Sequence, residues 1–257
     1  MKKLRRVERA AALFALAGLL SGGPVRAQEG AAVEIVRLID SPTAGLIAKG
    51  SFGVDLRFFP SGGVLGQLNA GVLDRLTIGL SFGGEQIIGA QDVEWYPRVE
   101  PAIRYRLIEE SSALPALALG YETQGYGTYL AGRYQIKSKG VFLALSKNYT
   151  SALGQFGVHG GLNLSREGRD VDRDLSGWVG LDKSVNEELS LVAEYDLGLN
   201  DNSRAAIGSG EGYLNAGVHW NAVENLSLGF LLKNILGNGD ADPQMSRELS
   251  VRYIEDF

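Results

Sequence analysis

The sequence predicts an all-β chain that folds as an antiparallel up-and-down transmembrane β-barrel of about 12 strands. Three observations support this prediction. The chain ends on a segment, 247–257, in which apolar and polar residues alternate, and the last residue is Phe257. Alternation with a period of two is typical of a strand with two different faces. Similar segments recur from residue 46 onward, and short turns and longer polar loops follow one another between them.

The strands can be placed in order along the chain. Working back from a periplasmic C-terminus, the connections on the inner side are short and most of those on the outer side are longer, as transmembrane barrels require. The even strand number puts both termini on the periplasmic side, and ten or fourteen strands are the alternatives if a segment has been merged or split. The predicted strands are 46–58, 64–72, 76–83, 95–107, 115–122, 141–147, 155–165, 175–183, 189–200, 212–221, 226–233 and 247–257.

The N-terminal 27 residues have the features of a secretory signal peptide. A basic region, 1–9, precedes an apolar stretch, 10–20, and small residues follow. The apolar stretch is about half of the roughly 20 residues that a spanning helix needs. We therefore expect cleavage after Ala27, a short periplasmic lead over 28–43 and a barrel over 44–257, in the bacterial outer membrane.

Composition narrows the function further. The net charge is −5, and residues 1–27 carry six Lys/Arg and one Glu, so cleavage would bring the net charge to −10. An acidic protein of this kind is a poor candidate for nucleic-acid binding. The chain has no Cys, so no disulfide can form. No cofactor is expected.

The inward face of the predicted barrel carries charges of both signs. Buried charges must be paired or hydrated, because leaving them bare is prohibitive. Two interpretations stay open: a structural ion-pair network that fills a narrow lumen, and a water-filled pore whose charges select solutes. The predicted lumen-lining residues are Lys49, Asp55, Arg57, Glu100, Arg104, Arg106, Glu122, His159, Asp182, Glu194, Asp196, His219, Lys233 and Arg252.

Catalytic and metal chemistry have weaker support. A hydrolase needs a nucleophile held against a histidine, but Ser165, on the face of His159, is several positions away along the strand. We therefore predict no catalytic residues and no enzyme activity. Alternate aspartates can supply oxygen ligands to Ca²⁺, but this loop lacks the Gly and Glu of an EF-hand, and a solvated acidic loop is favoured. The weak calcium candidates are Asp170, Asp172 and Asp174.

Two stretches resemble a known family. Residues 38–45 and the hairpin 74–79 are similar to the opening of YjbH-type outer-membrane proteins, a family associated with exopolysaccharide production and export. The C-terminal strand with its final aromatic residue resembles the signal that bacterial outer-membrane barrels present to the barrel assembly machinery. The outward row of that predicted membrane-insertion signal is Leu249, Val251, Tyr253 and Phe257.

These observations lead to one main hypothesis and two alternatives. The main hypothesis is a narrow, porin-like outer-membrane channel, or an accessory to envelope export. The resemblance to YjbH-type proteins implies that the exported material is an exopolysaccharide. The first alternative is a closed structural or adhesive barrel that acts through its outer loops. The second is an outer-membrane lipid-modifying enzyme. The expected partners are outer-membrane lipid, the barrel assembly machinery and a small solute or polysaccharide.

Overall fold

The computed structural model describes residues 34–130, 132–151, 154–167, 172–239 and 245–257. The predicted signal peptide and the first residues of the predicted lead, 28–33, lie outside these ranges. Within them, no helix is long and apolar enough to cross a membrane. The strands are β1 Ser51–Phe59, β2 Gly63–Leu73, β3 Leu76–Glu85, β4 Glu94–Trp95, β5 Glu100–Ile108, β6 Ala116–Glu122, β7 Tyr126–Leu130, β8 Arg133–Ile136, β9 Gly140–Ser151, β10 Gly154–Leu164, β11 Ser176–Ser184, β12 Leu189–Asp196, β13 Tyr213–Val223, β14 Leu226–Lys233 and β15 Ser246–Asp256.

Twelve antiparallel strands form a closed barrel, which confirms the predicted fold class. Each wall strand pairs with its neighbours in the chain, and β15 pairs with β1 from Ser51↔Asp256 to Phe58↔Leu249 to close the wall. Closure leaves no unpaired sheet edge, which is what allows strands to span lipid. The three other strands, β4, β7 and β8, belong to the long connections.

β9 runs on to Ser151, four residues beyond its predicted end, and three other differences from the predicted strand boundaries have a local reason. β1 begins at Ser51 and not at residue 46, because Gly50 takes a positive φ of 82° and turns the chain. The predicted strand 95–107 is divided, with β4 separated from β5 by a stretch containing Pro97. Proline lacks the N–H that a central strand would donate. β12 ends at Asp196, where the chain leaves the wall.

The outer face of the wall carries a belt of exposed apolar side chains. Leu80 and Leu249 are each 55% exposed, and Leu162 is 52% exposed. A soluble barrel would leave this apolar area in water at a large cost, whereas lipid solvates it. The chain is therefore a transmembrane barrel of the outer-membrane type. Of the predicted insertion row, Leu249, Tyr253 and Phe257 are exposed on the wall and Val251 is half-buried.

The lumen holds a segment of the chain itself. Residues 34–47, which we call the plug segment, form a hairpin inside the barrel. Leu38 N donates to Ser41 O at 3.0 Å, and Thr43 N donates to Val36 O at 3.1 Å. This hairpin ends in a tight turn at its tip, so the segment enters the lumen and returns before β1 begins.

The position of the plug segment differs from the predicted periplasmic lead over 28–43. Residues 38–43 of that lead are buried inside the barrel, with Leu38 and Asp40 each 2% exposed, whereas Glu34 at the entrance is exposed. The hairpin enters from the end of the barrel that carries the short turns, where Lys49 contacts Asp74 of the β2–β3 turn. Its polar groups find partners on the lumen wall, which is why the segment stays inside.

Candidate functional site: the occupied lumen

Glu194 of β12 binds the tip of the plug segment. Its Oε2 accepts hydrogen bonds from Ile39 N at 3.1 Å and Ser41 N at 2.9 Å, and its Oε1 accepts one from Asp40 N at 2.9 Å. The amide of Asn215 donates to Oε1 at 2.8 Å. Hydrogen bonds to an ionised acceptor are among the stronger ones in proteins. One carboxylate therefore fixes three consecutive peptide groups at the turn.

Asp40, at the tip, completes a buried charge cluster. Its Oδ1 lies 2.8 Å from Arg57 Nη1, and its Oδ2 lies 2.7 Å from Lys233 Nζ. The same two cations face Glu248 of β15, at 2.8 Å from Arg57 Nε and 3.5 Å from Lys233 Nζ. The ring of Tyr126 lies 4.6 and 4.8 Å from them. Two cations and two carboxylates balance only while the plug segment is in place.

Two arginines of β5 bind the base of the plug segment. Arg104 Nη1 donates to Val36 O at 2.6 Å and to Gly45 O at 2.9 Å, and so joins the two arms of the hairpin. Arg106 Nη2 donates to Ala44 O at 2.8 Å. Val36 O also accepts from Thr43 N, but the carbonyls of Ala44 and Gly45 have no other partner among the described residues, and a buried carbonyl without a partner costs free energy.

Further contacts hold the middle of the plug segment. Arg37 forms a bidentate pair with Glu122 of β6, with distances of 2.7 and 3.2 Å. The indole Nε1 of Trp178 donates to Pro42 O at 3.1 Å. Ile47 N donates to the hydroxyl of Thr77 at 3.0 Å. The plug segment is therefore hydrogen-bonded to β3, β6 and β11 as well as to β5 and β12.

The tip also needs space, and Gly180 of β11 supplies it. A Cβ at this position would lie 2.3 Å from Leu38 Cδ1 and 2.8 Å from Ala193 O. Leu38 belongs to a small apolar cluster with Val192 and Leu231 of the wall. The glycine therefore lets the plug side chain approach the sheet closely.

Gly180→Ala should destabilise the docked tip by about 1–3 kcal/mol, the usual cost of overpacking. Faster amide hydrogen exchange at Ile39 and Ser41 would report the loosened tip. Gly160→Ala is the matched control, since its added Cβ would meet only Trp178 O at 3.2 Å and Val179 Cγ1 at 3.9 Å. Equal exchange rates in the two variants would contradict this role for Gly180.

A hydrogen-bonded row of Ser146, His159 and Asp182 lies beside the plug segment. The Ser146 hydroxyl is 2.8 Å from His159 Nδ1, and His159 Nε2 is 2.6 Å from Asp182 Oδ1. With the ring proton on Nε2, the histidine donates to the aspartate and accepts from the serine. Serine hydrolases use groups in this order, but there the serine is bonded to Nε2 and the aspartate to Nδ1, the reverse of the arrangement in this row. Here, however, Ala44 N donates to the Ser146 oxygen at 2.8 Å, so the plug segment covers the hydroxyl.

The long connection between β6 and β9 lies at the opposite end of the lumen. Its two short strands, β7 and β8, form what we call the mouth hairpin. Tyr134 is fully buried, and it contacts the rings of Tyr96 and Tyr129 edge-on, each at a centroid distance of 5.0 Å. Arg133 pairs with Asp201 of another long loop, at 2.6 Å. The mouth hairpin thus packs across the entrance and reaches the plug tip through Tyr126.

Glu167 anchors the mouth hairpin. Its carboxylate accepts hydrogen bonds from Tyr134 N and from Ser138 N, both at 2.7 Å. Burial raises the pKa of the Glu167 carboxyl above its ordinary value, although these hydrogen bonds oppose the shift. The position of the mouth hairpin therefore depends on hydrogen bonds to a carboxyl group that is largely buried away from water.

A raised carboxyl pKa gives a defined pH dependence. The stability that Glu167 contributes is fully present below its unfolded-state pKa and is lost as the pH rises through its folded-state pKa. The wild type should therefore lose stability relative to Glu167→Gln across that window. Unfolding midpoints of both proteins, measured against pH, test this, and a difference that is constant with pH would contradict it.

The structure places the predicted lumen residues on the inner wall with one exception. Lys49 is exposed at the rim, where it lies 3.7 Å from Asp74, so its prediction as a lumen residue is wrong. It precedes β1 and so does not take the inward position that alternation gave it. Further predicted lumen residues form ion pairs: Asp55 with Arg252, Asp196 with Lys139, and Glu100 with Arg98. The ring of His219 lies beside Gly229.

In the described part of the chain, the aspartates predicted as weak calcium ligands do not form a common site. Asp170 lies outside the described residues. Asp172 Oδ2 accepts hydrogen bonds from Asn202 N and Ser203 N, at 2.8 and 2.9 Å, and Asp174 is exposed. Among the residues that the structure describes, no group of three His, Cys, Asp or Glu side chains could hold a metal ion.

Sequence reasoning missed the plug segment and several of the groups that bind it. Ser146 and Trp178 both fall on inward positions of their strands, so alternation alone could have added them to the lumen. The segment itself carries a weaker signal. Leu38, Ile39 and Leu46 are apolar residues with no use in a solvated lead, and in the structure they are buried.

The fold and the apolar belt together define a porin-like outer-membrane β-barrel. No family model matches the chain, and no curated protein matches it, so the YjbH-type resemblance has no support from those comparisons. A solved "KdgM porin" is 9% identical with a TM-score of 0.48, over 79% of this chain and 98% of that one. A NanC porin structure is 7% identical with a TM-score of 0.42, over 80% and 99%. The outer membrane channel DcaP of Acinetobacter baumannii is 11% identical with a TM-score of 0.31, over 80% and 96%.

Proposed function

We propose that this protein is an outer-membrane channel that its own plug segment keeps closed, and that it conducts small polar solutes when residues 34–47 leave the lumen. The observation that carries the proposal is the way the segment is held. Glu194, Arg57 and Arg104 bind it through hydrogen bonds and ion pairs, and it has no disulfide to the wall because the chain has no Cys. Such contacts can be exchanged for water one by one.

The wall that remains after the plug segment leaves supports conduction of polar solutes. It carries cations and carboxylates in similar numbers, so strong selection by charge is not expected. A barrel filled by apolar side chains would instead stay closed without any plug. The charged groups that face the lumen are Arg57, Arg104, Arg106, Lys233 and Arg252 of the wall with Lys139 just before β9, against Asp55, Glu100, Glu122, Asp182, Glu194, Asp196 and Glu248.

A disulfide that locks the plug segment tests the proposal. Ala44 lies in one buried cluster with Ala116 and Ala118 of β6, so Ala44→Cys/Ala118→Cys brings two thiols into that cluster in a chain without other cysteines. In planar bilayers the oxidised protein should stay silent, and the reduced protein should show discrete openings. The single-cysteine variants serve as controls. Equal currents in the oxidised and reduced proteins would refute the proposal, and silence of every form would favour a closed structural barrel.

One observation favours a second candidate, an esterase or lipase activity. The row of Ser146, His159 and Asp182 has the order of a hydrolase triad, and departure of Ala44 would uncover the serine. A fluorophosphonate probe applied to the barrel without its plug segment tests this candidate. Labelling that disappears in Ser146→Ala would support the enzyme, and absence of labelling would leave the row as an anchor for the plug.

A role as an accessory to exopolysaccharide export is the finer form of the channel hypothesis. It rests only on the sequence resemblance of residues 38–45 and 74–79. Deleting the gene and measuring secreted polysaccharide tests it separately from conduction, because a channel for other small solutes would leave the polysaccharide unchanged.

A further inference from the structure

We infer that the lumen contains a binding site for one small monovalent anion, such as chloride, beside Arg104. A cavity of about 30 Å³ lies between the plug segment and the wall, lined among others by Arg37, Asp55, Arg104, Glu122 and Arg252. A water needs roughly 10–15 Å³ measured in this way. The cavity therefore admits one monoatomic ion or about two waters, and it is too small for a carboxylate or phosphate group.

The charges around the cavity do not balance. Arg37 and Glu122 form a bidentate pair, and Arg252 Nε contacts Asp55 Oδ1. Arg104 has no carboxylate partner: within the described residues, no carboxylate oxygen lies within 4.0 Å of its guanidinium nitrogens. The lining therefore carries three guanidinium groups and two carboxylates, an excess of one positive charge.

Arg104 is also incompletely hydrogen-bonded. The residue is only 6% exposed, and its Nε is buried with no hydrogen-bond partner in the described part of the chain. Its Nη1 is used by the carbonyls of Val36 and Gly45. A buried charge without a counter-ion is costly, and so is a buried donor without an acceptor. An anion in the adjoining cavity removes both costs at once.

Neighbouring groups do not supply the missing negative charge. Arg106 contacts Glu34 and Glu109, and Glu109 also lies 3.2 Å from Arg75, so these groups balance among themselves. The uncharged polar lining of the cavity includes the side-chain amides of Gln67 and Asn69. Their N–H groups are donors of the kind that an anion accepts.

The site has a structural consequence. Arg104 joins the two arms of the plug segment through Val36 and Gly45, so a bound anion would hold this guanidinium in place and stabilise the docked plug. The binding site itself does not require that the barrel conducts. Its test can therefore fail while the channel proposal stands, and the reverse also holds.

Unfolding midpoints in sodium chloride and in sodium gluconate, at equal ionic strength, test the site. A ligand that binds only the folded state raises the midpoint in a saturable manner. We expect such a rise with chloride, none with gluconate, and loss of the chloride response in Arg104→Gln. Lys49→Gln is the control, because Lys49 is an exposed cation outside the cavity, and its response should equal that of the wild type. Equal effects of the two salts on the wild type would overturn the proposal.

Bromide diffraction keeps the proposal testable if Arg104→Gln does not fold. Crystals of the wild type soaked in sodium bromide should show an anomalous peak in the cavity beside Arg104 Nε. A cavity that contains only water density, or bromide peaks confined to the protein surface, would overturn the proposal.

Discussion

Removing residues 34–47 is expected to convert the closed barrel into a persistently conducting one. The plug segment occupies the lumen from the short-turn end to the tip cluster around Asp40, so its loss leaves a charged wall that water can fill. The wall strands do not need the plug segment for their backbone hydrogen bonds, because every barrel strand pairs with two neighbouring strands. The variant should therefore still fold. A folded barrel migrates differently on a denaturing gel before and after boiling, and the variant should show this difference.

Planar-bilayer recording measures this effect. The variant should carry a steady current where the wild type is silent or flickers. In a salt gradient its reversal potential should stay small, because the wall carries cations and carboxylates in similar numbers. A shortened control that removes residues 28–33 and keeps the plug segment should behave as the wild type. A folded variant without current would show that something other than the plug segment blocks the lumen, with the mouth hairpin as the first candidate.

Asp40→Ala is expected to undock the tip while leaving the chain length unchanged. The substitution leaves Arg57 and Lys233 facing Glu248 alone. Removing one partner of a buried ion pair costs about 3–5 kcal/mol. Because about 1.4 kcal/mol corresponds to a tenfold change in an equilibrium, the fraction of time that the channel is open should rise by a factor between about 10² and about 4 × 10³.

Ser41→Ala is the matched control for the tip. Ser41 is fully buried beside Asp40, and its hydroxyl has no hydrogen-bond partner among the described residues. Its backbone N–H, which donates to Glu194, is unaffected by the change. Open probability in Ser41→Ala should therefore stay near that of the wild type. If both variants open equally, the Asp40 charge is not what holds the tip.

The two ends of the lumen are coupled through one side chain. Tyr126 belongs to the mouth hairpin, yet its ring lies over Arg57 and Lys233, which bind the plug tip. Undocking the tip would leave these cations without Asp40 and would change the surroundings of Tyr126. The Asp40 and Glu167 variants therefore report on two parts of one closed state, the plug and the mouth hairpin.

The barrel wall could be predicted from the sequence because the relevant signal is local. A strand in a membrane barrel has lipid on one side and the lumen on the other, so its residues alternate regardless of partners far away. The predicted strand 226–233 matches β14 at both ends, and the predicted closing seam between the last and first strands is observed. The inward charges follow from the same alternation.

The plug segment could not be predicted in this way, because its structure depends on distant partners. It has no regular period, and its tip is held by Glu194, which lies 155 positions along the chain from Ile39. Only the wall brings such groups together. Lys49 shows the related failure: the alternation was extended ahead of the start of β1, into residues that continue from the plug segment and do not belong to the wall.

Block of the channel by a synthetic peptide tests the central claim most directly. The peptide spans residues 34–47 and is added to the variant that lacks them. If the lumen wall recognises this segment, the peptide should reduce the current in a saturable manner, and a peptide with Asp40→Ala should need about 10² times the concentration or more. A current that the peptide leaves unchanged, or that a scrambled peptide blocks equally well, would contradict the account.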